Sequence, residues 1–511
     1  AETYLSDIFG SEIIDHYVYG IVSDGDLMEG VSFEAAELAG LWKLGKLIYI
    51  FDDNNISIDG NVDKVSVTDQ SAKFKSLGWH VQEIDGHDET QIINAVKEAQ
   101  DNTSKPSLII AKSTIGKYSP NKQDTSGVHG SPLGNDEMEQ FLKNLGWFGD
   151  TFDHPREIYE YFSEKRDTDN IQHDEWLSLL KDKKSTDDDF AKLWNQFHNK
   201  EIELSNLHNN DNKATRVAGS EVLKSIGESN RFILGGSADL AASTKQIISN
   251  SIYSYENRAG QSIEFGIREH AMAAVVNGIT LHSNLISYGS TFLVFSDYMR
   301  PSIRLASLMN LNSVYIFTHD SIYLGEDGPT HQPVEHLMSL RLIPGVDVIR
   351  PANSIEVQYA YQYIFTKSNN PKSLVLTRQS LDYVETNLSY KKFQEGAYEL
   401  IKGDDITIFA SGSEVSLAIE VSKKLKNKSV QIISTPILNQ VNTDTLTNLK
   451  INEFVFTLEL GRSIGWQDYI GKVTESFSIE TFGKSAPQED LTNYFEFSAE
   501  KIAEKILQHI S

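Results

Sequence analysis

Two stretches carry the reading of the fold: His16-Tyr17-Val18-Tyr19-Gly20-Ile21-Val22-Ser23-Asp24-Gly25-Asp26 and Leu47-Ile48-Tyr49-Ile50-Phe51-Asp52-Asp53-Asn54-Asn55-Ile56. Each is a short apolar run, rich in β-branched and aromatic residues, that ends in a knot of Asp, Asn, Ser and Gly. Near-continuous apolar strands spaced by helical stretches argue for a parallel sheet covered on both faces. Both knots then fall at the carboxyl ends of neighbouring strands, where α/β sheets bind ligands. An Asp, an Asn amide oxygen and a loop carbonyl make half of an octahedral oxygen shell. Mg²⁺ or Ca²⁺ would take its other ligands from a diphosphate and water. Turn capping explains either knot alone; the pair at this spacing favours metal and diphosphate.

The pattern repeats along the chain. After Tyr17–Val22 and Leu47–Asp52 come His80–Ile84 and Leu108–Ala111, then Phe232–Leu234, Leu285–Tyr288, Val314–Thr318, Asp347–Arg350 and Leu374–Thr377. A last group is Ile406–Ala410, Val430–Ser434 and Glu453–Leu458. The fold class expected is α/β, in three doubly wound domains with mainly parallel sheets. Two polar stretches, Asp182–Ala214 and Glu385–Gly396, interrupt it and mark the boundaries. The expected domains are 1–200, 213–385 and 396–511.

Composition narrows the function. The 511 residues hold 46 Lys+Arg against 72 Asp+Glu, a net charge of −26. So acidic a chain is a poor partner for nucleic acid or anionic membranes. It can still bind phosphate through a local Arg/His cluster, because salt confines fields to about 8 Å. Cysteine is absent, which excludes disulfides, zinc–thiolate sites, iron–sulfur clusters and thiol nucleophiles. The longest apolar runs, such as Ala271–Val276, fall far short of the ~18 residues of a membrane span. The first residues carry no secretory pattern, so cytoplasmic residence is the expectation.

Some motifs are decoys. Gly40-Leu41-Trp42-Lys43-Leu44-Gly45-Lys46-Leu47 nearly matches a P-loop, but Leu47 stands where Ser or Thr must meet Mg²⁺, and the segment precedes a strand. The chain has no Gly-x-Gly-x-x-Gly opening a helix, no Gly-x-Ser-x-Gly and no His-Glu-x-x-His, so nicotinamide, serine-hydrolase and zincin readings lack support.

Other constellations carry chemistry. In Ile263-Glu264-Phe265-Gly266-Ile267-Arg268-Glu269-His270, a carboxylate flanked by apolar residues at a strand–helix junction can share a proton with a heterocycle nitrogen; alone, it reads as a helix-start Glu favoured by the dipole. The stretch from Thr318-His319-Asp320-Ser321 to Gly325-Glu326-Asp327-Gly328-Pro329-Thr330-His331-Gln332-Pro333 packs two histidines and several acids around a Gly/Pro loop, which points to binding and proton transfer. Arg216, Ser243 and Arg378 are scattered phosphate-binding candidates. Phe292, Phe295 and Tyr298 have helical spacing, which suits core packing first and a stacking pocket second.

Taken in order, these pieces resemble transketolase along essentially the whole chain. The resemblance rests on Asp24-Gly25 with Asn54, Ser119-Pro120-Asn121-Lys122, His129-Gly130-Ser131-Pro132-Leu133-Gly134, Gly235-Gly236-Ser237-Ala238-Asp239-Leu240, the Glu269 segment, the Thr318–Pro333 loop, Thr377-Arg378-Gln379, and Thr481-Phe482-Gly483 with Ala486-Pro487. It implies a thiamine diphosphate enzyme, a homodimer, with a diphosphate domain, a pyrimidine domain and a C-terminal domain. By resemblance, Asp24, Asn54 and the Ile56 carbonyl hold Mg²⁺ or Ca²⁺, and Gly25 lies in the cofactor motif. Glu269 bonds the pyrimidine nitrogen, and Phe292, Phe295 and Tyr298 frame the ring, with Asp239 near the cofactor. His129 lies by diphosphate and substrate, and Glu29 matches the acid linking two active sites. Asp327 reads a substrate hydroxyl, and His331 sits beside the reacting carbons. Arg216, Ser243, His319 and Arg378 bind the sugar phosphate. Glu269, His331 and His129 are the expected catalytic set.

The implied reaction passes a two-carbon ketol unit from a ketose phosphate, such as xylulose 5-phosphate, to an aldose phosphate, such as ribose 5-phosphate, in the pentose phosphate pathway. Dihydroxyacetone synthase, deoxyxylulose-phosphate synthase and an inactive transketolase-like subunit are the alternatives. Ser23 replaces the family's glycine before the metal Asp. The match begins partway into the family's first domain, so the family's first strand, a Gly-Pro-Leu-type loop and several histidines are expected upstream. A sheet without that strand is expected to expose apolar edges.

Overall fold

In the computed structural model, which describes residues 1–150, 152–199, 212–366, 368–382 and 384–510, the apolar runs form three sheets. The part of the polar stretch Asp182–Ala214 that covers 200–211 lies outside the described residues. The chain divides into two compact units: Glu2–Asn195 with Ser254–Ala259, and Gln196–Tyr253 with Gly260–Ser511.

The first unit is built on β1 (Val18–Ser23) and β2 (Leu47–Asp53), a two-residue hairpin of β3 (Ile56–Ser57) and β4 (Gly60–Asn61), then β5 (His80–Asp85) and β6 (Ser107–Lys112). The order β1-β2-β6-β5 is parallel throughout. Leu108, Ile110, Phe51, Trp79 and Ala36 pack on one face, and Ile48, Ile109, Ala95 and Ala99 on the other. That two-sided burial is why β2 and β6 read as continuous apolar runs. β1 lies at the edge of this sheet, with Ile21 78% exposed. The P-loop lookalike has a packing role: a Cβ on Gly40 would fall 1.8 Å from the Leu77 carbonyl oxygen. Part of the polar stretch is helical, over Asp188–Asn199, and buries Phe190 and Trp194 against Phe9.

The second unit holds two sheets. One has β7 (Ile233–Ser237), β8 (Ser262–Glu264), β9 (Ile286–Phe292), β10 (Val314–Thr318), β11 (Asp347–Ile349) and β12 (Lys372–Leu376). Its order, β11-β12-β10-β9-β7-β8, is again all parallel. The other has β13 (Tyr398–Ile401), β14 (Ile406–Ala410), β15 (Val430–Ser434), β16 (Phe454–Leu458) and β17 (Glu475–Phe477) in the order β13-β15-β14-β16-β17. Only β13 in it runs antiparallel. The expected fold class holds. β8, β13 and β17 were absent from the sequence reading because they are short and partly polar. β7 and β9 run further than read, through Gly235-Gly236-Ser237 and to Phe292.

Candidate active site

The candidate residues fall into two groups, one in each unit. In the first unit they stand at the carboxyl ends of β1 and β2. Ser23 caps the short helix Asp24–Met28 by a box: its backbone N–H and hydroxyl both donate to Asp26 Oδ2, at 2.8 and 3.0 Å. Ser23 thus fixes the turn that presents Asp24. Asn54 is buried, donates to Asp52 Oδ2 at 2.9 Å, and accepts from the Ile56 N–H at 3.0 Å. Asp24 of the first knot and Asp53, Asn54 and Asn55 of the second line one polar cavity of about 850 Å³, together with Lys112, Ser113, Thr114 and His87.

The acids at these strand ends are not equivalent. Asp53 pairs with Lys112, and Asp52 is held by Asn54 and Ser113. Asp24 is buried, and its Oδ2 has no hydrogen-bond partner among the described residues. Burial, then the charges of Asp53 and Asp52, push its carboxyl up to about 6. An orphaned carboxylate oxygen crowded by two further acids fits a divalent cation, which would supply the missing partner and charge together. Glu29 and Gly25 are exposed beside it. His129 follows the turn Ser126–Val128 and is not among the residues lining the cavity.

In the second unit the aromatic run is not the helical stripe that its spacing suggested. Phe292 ends β9, Phe295 closes a 3-10 turn, and Tyr298 lies in the helix Ser296–Leu308. The change of element turns the three rings into a row instead of a core face. Phe292 and Phe295 are parallel with centroids 6.0 Å apart. Tyr298, 62% exposed, lies 6.0 Å beyond Phe295. The two histidines of the Thr318–Pro333 loop flank the row: His319 is 3.8 Å from Phe292, and His331 meets Phe295 edge-on at 5.5 Å.

His319 follows β10 with a left-handed backbone, φ +59°. Its Nδ1 lies 2.7 Å from Thr318 Oγ1, and its Nε2 lies 3.3 Å from Arg216 Nη1. Arg216 must donate there, so Nε2 accepts and Nδ1 carries the proton. Burial and the guanidinium groups of Arg216 and Arg378 push this imidazole down to about 3. Arg216 also donates to the Ser243 carbonyl, while its buried Nε finds no partner among the described residues. Its acidity is raised by burial and by Arg378. Two cations with an unused donor, next to a neutral histidine, can receive an anion.

The remaining candidates surround this group in sequence. Glu269 is buried and opens the helix Glu269–His282 just after β8. Asp239 lies beyond β7 with φ +57°. Asp327 is exposed on the Gly/Pro loop. His331 Nδ1 lies 2.9 Å from Thr330 Oγ1. Gln332, whose role the sequence did not reveal, anchors this loop by donating to Gly325 and Lys484 carbonyls at 2.8 Å each. Lys112 and His87 were also missed; single polar residues between apolar runs give no local signal.

Three family signatures match the chain in order: the transketolase thiamine diphosphate binding domain over 1–202, the transketolase pyrimidine binding domain over 211–383, and the transketolase-like C-terminal domain over 396–498. Transketolase from Bacillus subtilis is 38% identical, with 99% of this chain and 79% of that one covered. Transketolase from Aquifex aeolicus is 36% identical, covering 99% and 76%. The solved transketolase from Leishmania mexicana superimposes with a TM-score of 0.94 at 32% identity, covering 99% and 78%. A Pichia stipitis transketolase in complex with sedoheptulose 7-phosphate does so with a TM-score of 0.94 at 33% identity, covering 100% and 79%. The chain belongs to the transketolase family.

Proposed function

We propose that this transferase moves a two-carbon ketol unit from xylulose 5-phosphate to ribose 5-phosphate, in the pentose phosphate pathway and in the cytoplasm. The observation that carries the substrate class is the anion site at the end of the aromatic row: Arg216, Arg378 and a neutral His319 beside Phe292. A phosphate there satisfies the unused Arg216 donor and offsets two like charges. Sugar phosphates bound to Pichia stipitis transketolases support the same class.

Thiamine diphosphate, when bound, supplies a carbon nucleophile and an electron sink. Asp24, Asn54 and the Ile56 carbonyl would hold Mg²⁺ or Ca²⁺, and Gly25 and His129 would serve the diphosphate. Glu269 would hold a proton shared with the pyrimidine nitrogen. Phe292, Phe295 and Tyr298 would frame the ring, with Asp239 serving the cofactor. His331 moves the proton of the substrate hydroxyl, and Asp327 reads a neighbouring hydroxyl. Arg216, Ser243, His319 and Arg378 grip the phosphate and so fix the sugar for reaction. In the domain scheme 1–200, 213–385 and 396–511, the site takes the diphosphate residues of one subunit and the pyrimidine residues of the other, with Glu29 linking the two sites of a homodimer.

Glu269→Ala tests the assignment. Ketol transfer should fall by about 10²–10⁴-fold, the usual share of a positioned acid or base. Cofactor affinity, read by calorimetry, should fall less. Parent-like turnover would remove Glu269 from the mechanism.

A further inference from the structure

A buried charge cluster beside His319 has no part in the reading above. Asp320 is 1% exposed, and its Oδ2 accepts from Arg350 Nε at 2.9 Å and Arg350 Nη2 at 2.8 Å. Arg350 is fully buried just past β11. Its Nη1 donates to the Ser411 carbonyl at 3.0 Å and to Ser411 Oγ at 3.1 Å, and pairs with Glu414. Gly412, with φ +55°, lies so close that a Cβ on it would be 2.7 Å from Arg350 Nε. The loop after β14 is thus shaped around this guanidinium. Glu414 is held in turn by the Leu460 N–H at 3.1 Å.

The cluster bears on one residue of the site. A left-handed backbone on a non-glycine residue persists only where its surroundings over-determine it. His319 is such a residue, and both its neighbours are fixed. Thr318 is the last β10 residue, paired with Phe292 and Leu376. Asp320 is clamped by Arg350.

We propose that Arg350, seated by Ser411 and Glu414, is a positioning residue for His319: through Asp320 it holds the turn that keeps His319 against Arg216, and so sets affinity for the substrate's phosphate. The inference rests on His319 being a phosphate ligand. It gives the loop after β14 a part in substrate binding, although that loop supplies no group to the substrate.

The test compares the parent, His319→Ala, Asp320→Asn and Arg350→Lys, each loaded with thiamine diphosphate and Mg²⁺. KM and kcat are measured with xylulose 5-phosphate and with unphosphorylated xylulose. Asp320→Asn should raise KM for the phosphorylated donor roughly tenfold, with kcat within about twofold and KM for xylulose unchanged. Arg350→Lys, which keeps the charge but loses the fork, should shift the same ratio. Calorimetry with inorganic phosphate alone should show the same weakening without turnover. Equal changes for both donors, or none, overturn the proposal when His319→Ala is phosphate-selective. If His319→Ala is itself unselective, the phosphate reading fails first. Should Asp320→Asn not fold, Arg350→Lys is judged by the same ratio.

Discussion

Asp24 and Glu459 are both buried carboxylates that follow a parallel strand, β1 in one unit and β16 in the other, and the chain treats them oppositely. Glu459 is bound by Arg341 through two bonds of 2.8 Å, by Ser411 at 2.7 Å and by the Trp466 indole at 2.9 Å. These partners outweigh burial and hold its carboxyl down at about 2. Asp24 has an unpartnered oxygen and two more acids for neighbours, and its carboxyl is pushed up to about 6. A charge that serves the fold arrives with its counter-charge. Asp24, unpaired in its cavity, is the carboxylate we propose takes its counter-charge from a bound cation. The group of Arg216, Arg378 and His319 repeats the second case with the sign reversed.

The largest effect expected from this contrast is at Arg341. Arg341→Met leaves Glu459 charged and buried, and should cost about 3–5 kcal/mol in a denaturant titration. Adding Glu459→Met should restore only part of that, because it removes the stranded charge but leaves the Ser411 hydroxyl and the Trp466 indole N–H without their acceptor. A single variant that loses almost nothing would mean the cluster is not closed in the way described.

A smaller effect concerns His319. Its folded value lies below the ordinary 6.5, so between about 6.5 and 3 the unfolded chain binds a proton that the folded chain refuses. Its contribution to stability therefore falls as pH drops through that window, by about 1.4 kcal/mol at pH 5.5. His319→Gln should flatten that part of the stability profile; an unchanged slope would show that burial and the two guanidinium groups do not hold this ring neutral.

The smallest effect is at Asp24 without metal. Its raised folded value means that ionisation above about 6 opposes folding. Asp24→Asn should thus stabilise the metal-free protein at pH 7, by about 1 kcal/mol once solvent screening is allowed for. Mg²⁺ with thiamine diphosphate should raise the parent's melting temperature and leave the variant's nearly unmoved.

What could be read from the sequence divides along the same line. β2, β6, β10 and β14 were legible because burial on both faces writes itself as an unbroken apolar run. β8 and β17 were not, since three residues containing Ser and Glu carry no pattern. Asp24 and Asn54 were legible because each closes its own strand. Their inequality with Asp52 and Asp53 was not, because it depends on Lys112 and Ser113, about 60 residues away in sequence. Spacing misplaced the Phe292–Tyr298 rings, because a 3-10 turn between strand and helix imitates helical periodicity over so short a run. Arg350 read as the end of a strand; its partners Asp320 and Glu414 lie 30 and 64 positions away, and only folding brings them together.

The most direct test of the account is a calorimetric titration of thiamine diphosphate into the parent and into Asp24→Asn, each with Mg²⁺ and with a chelator. The account requires binding to the parent to depend strongly on Mg²⁺ and that dependence to vanish in the variant. Metal-dependent affinity that survives Asp24→Asn unchanged would contradict it and place the cation elsewhere.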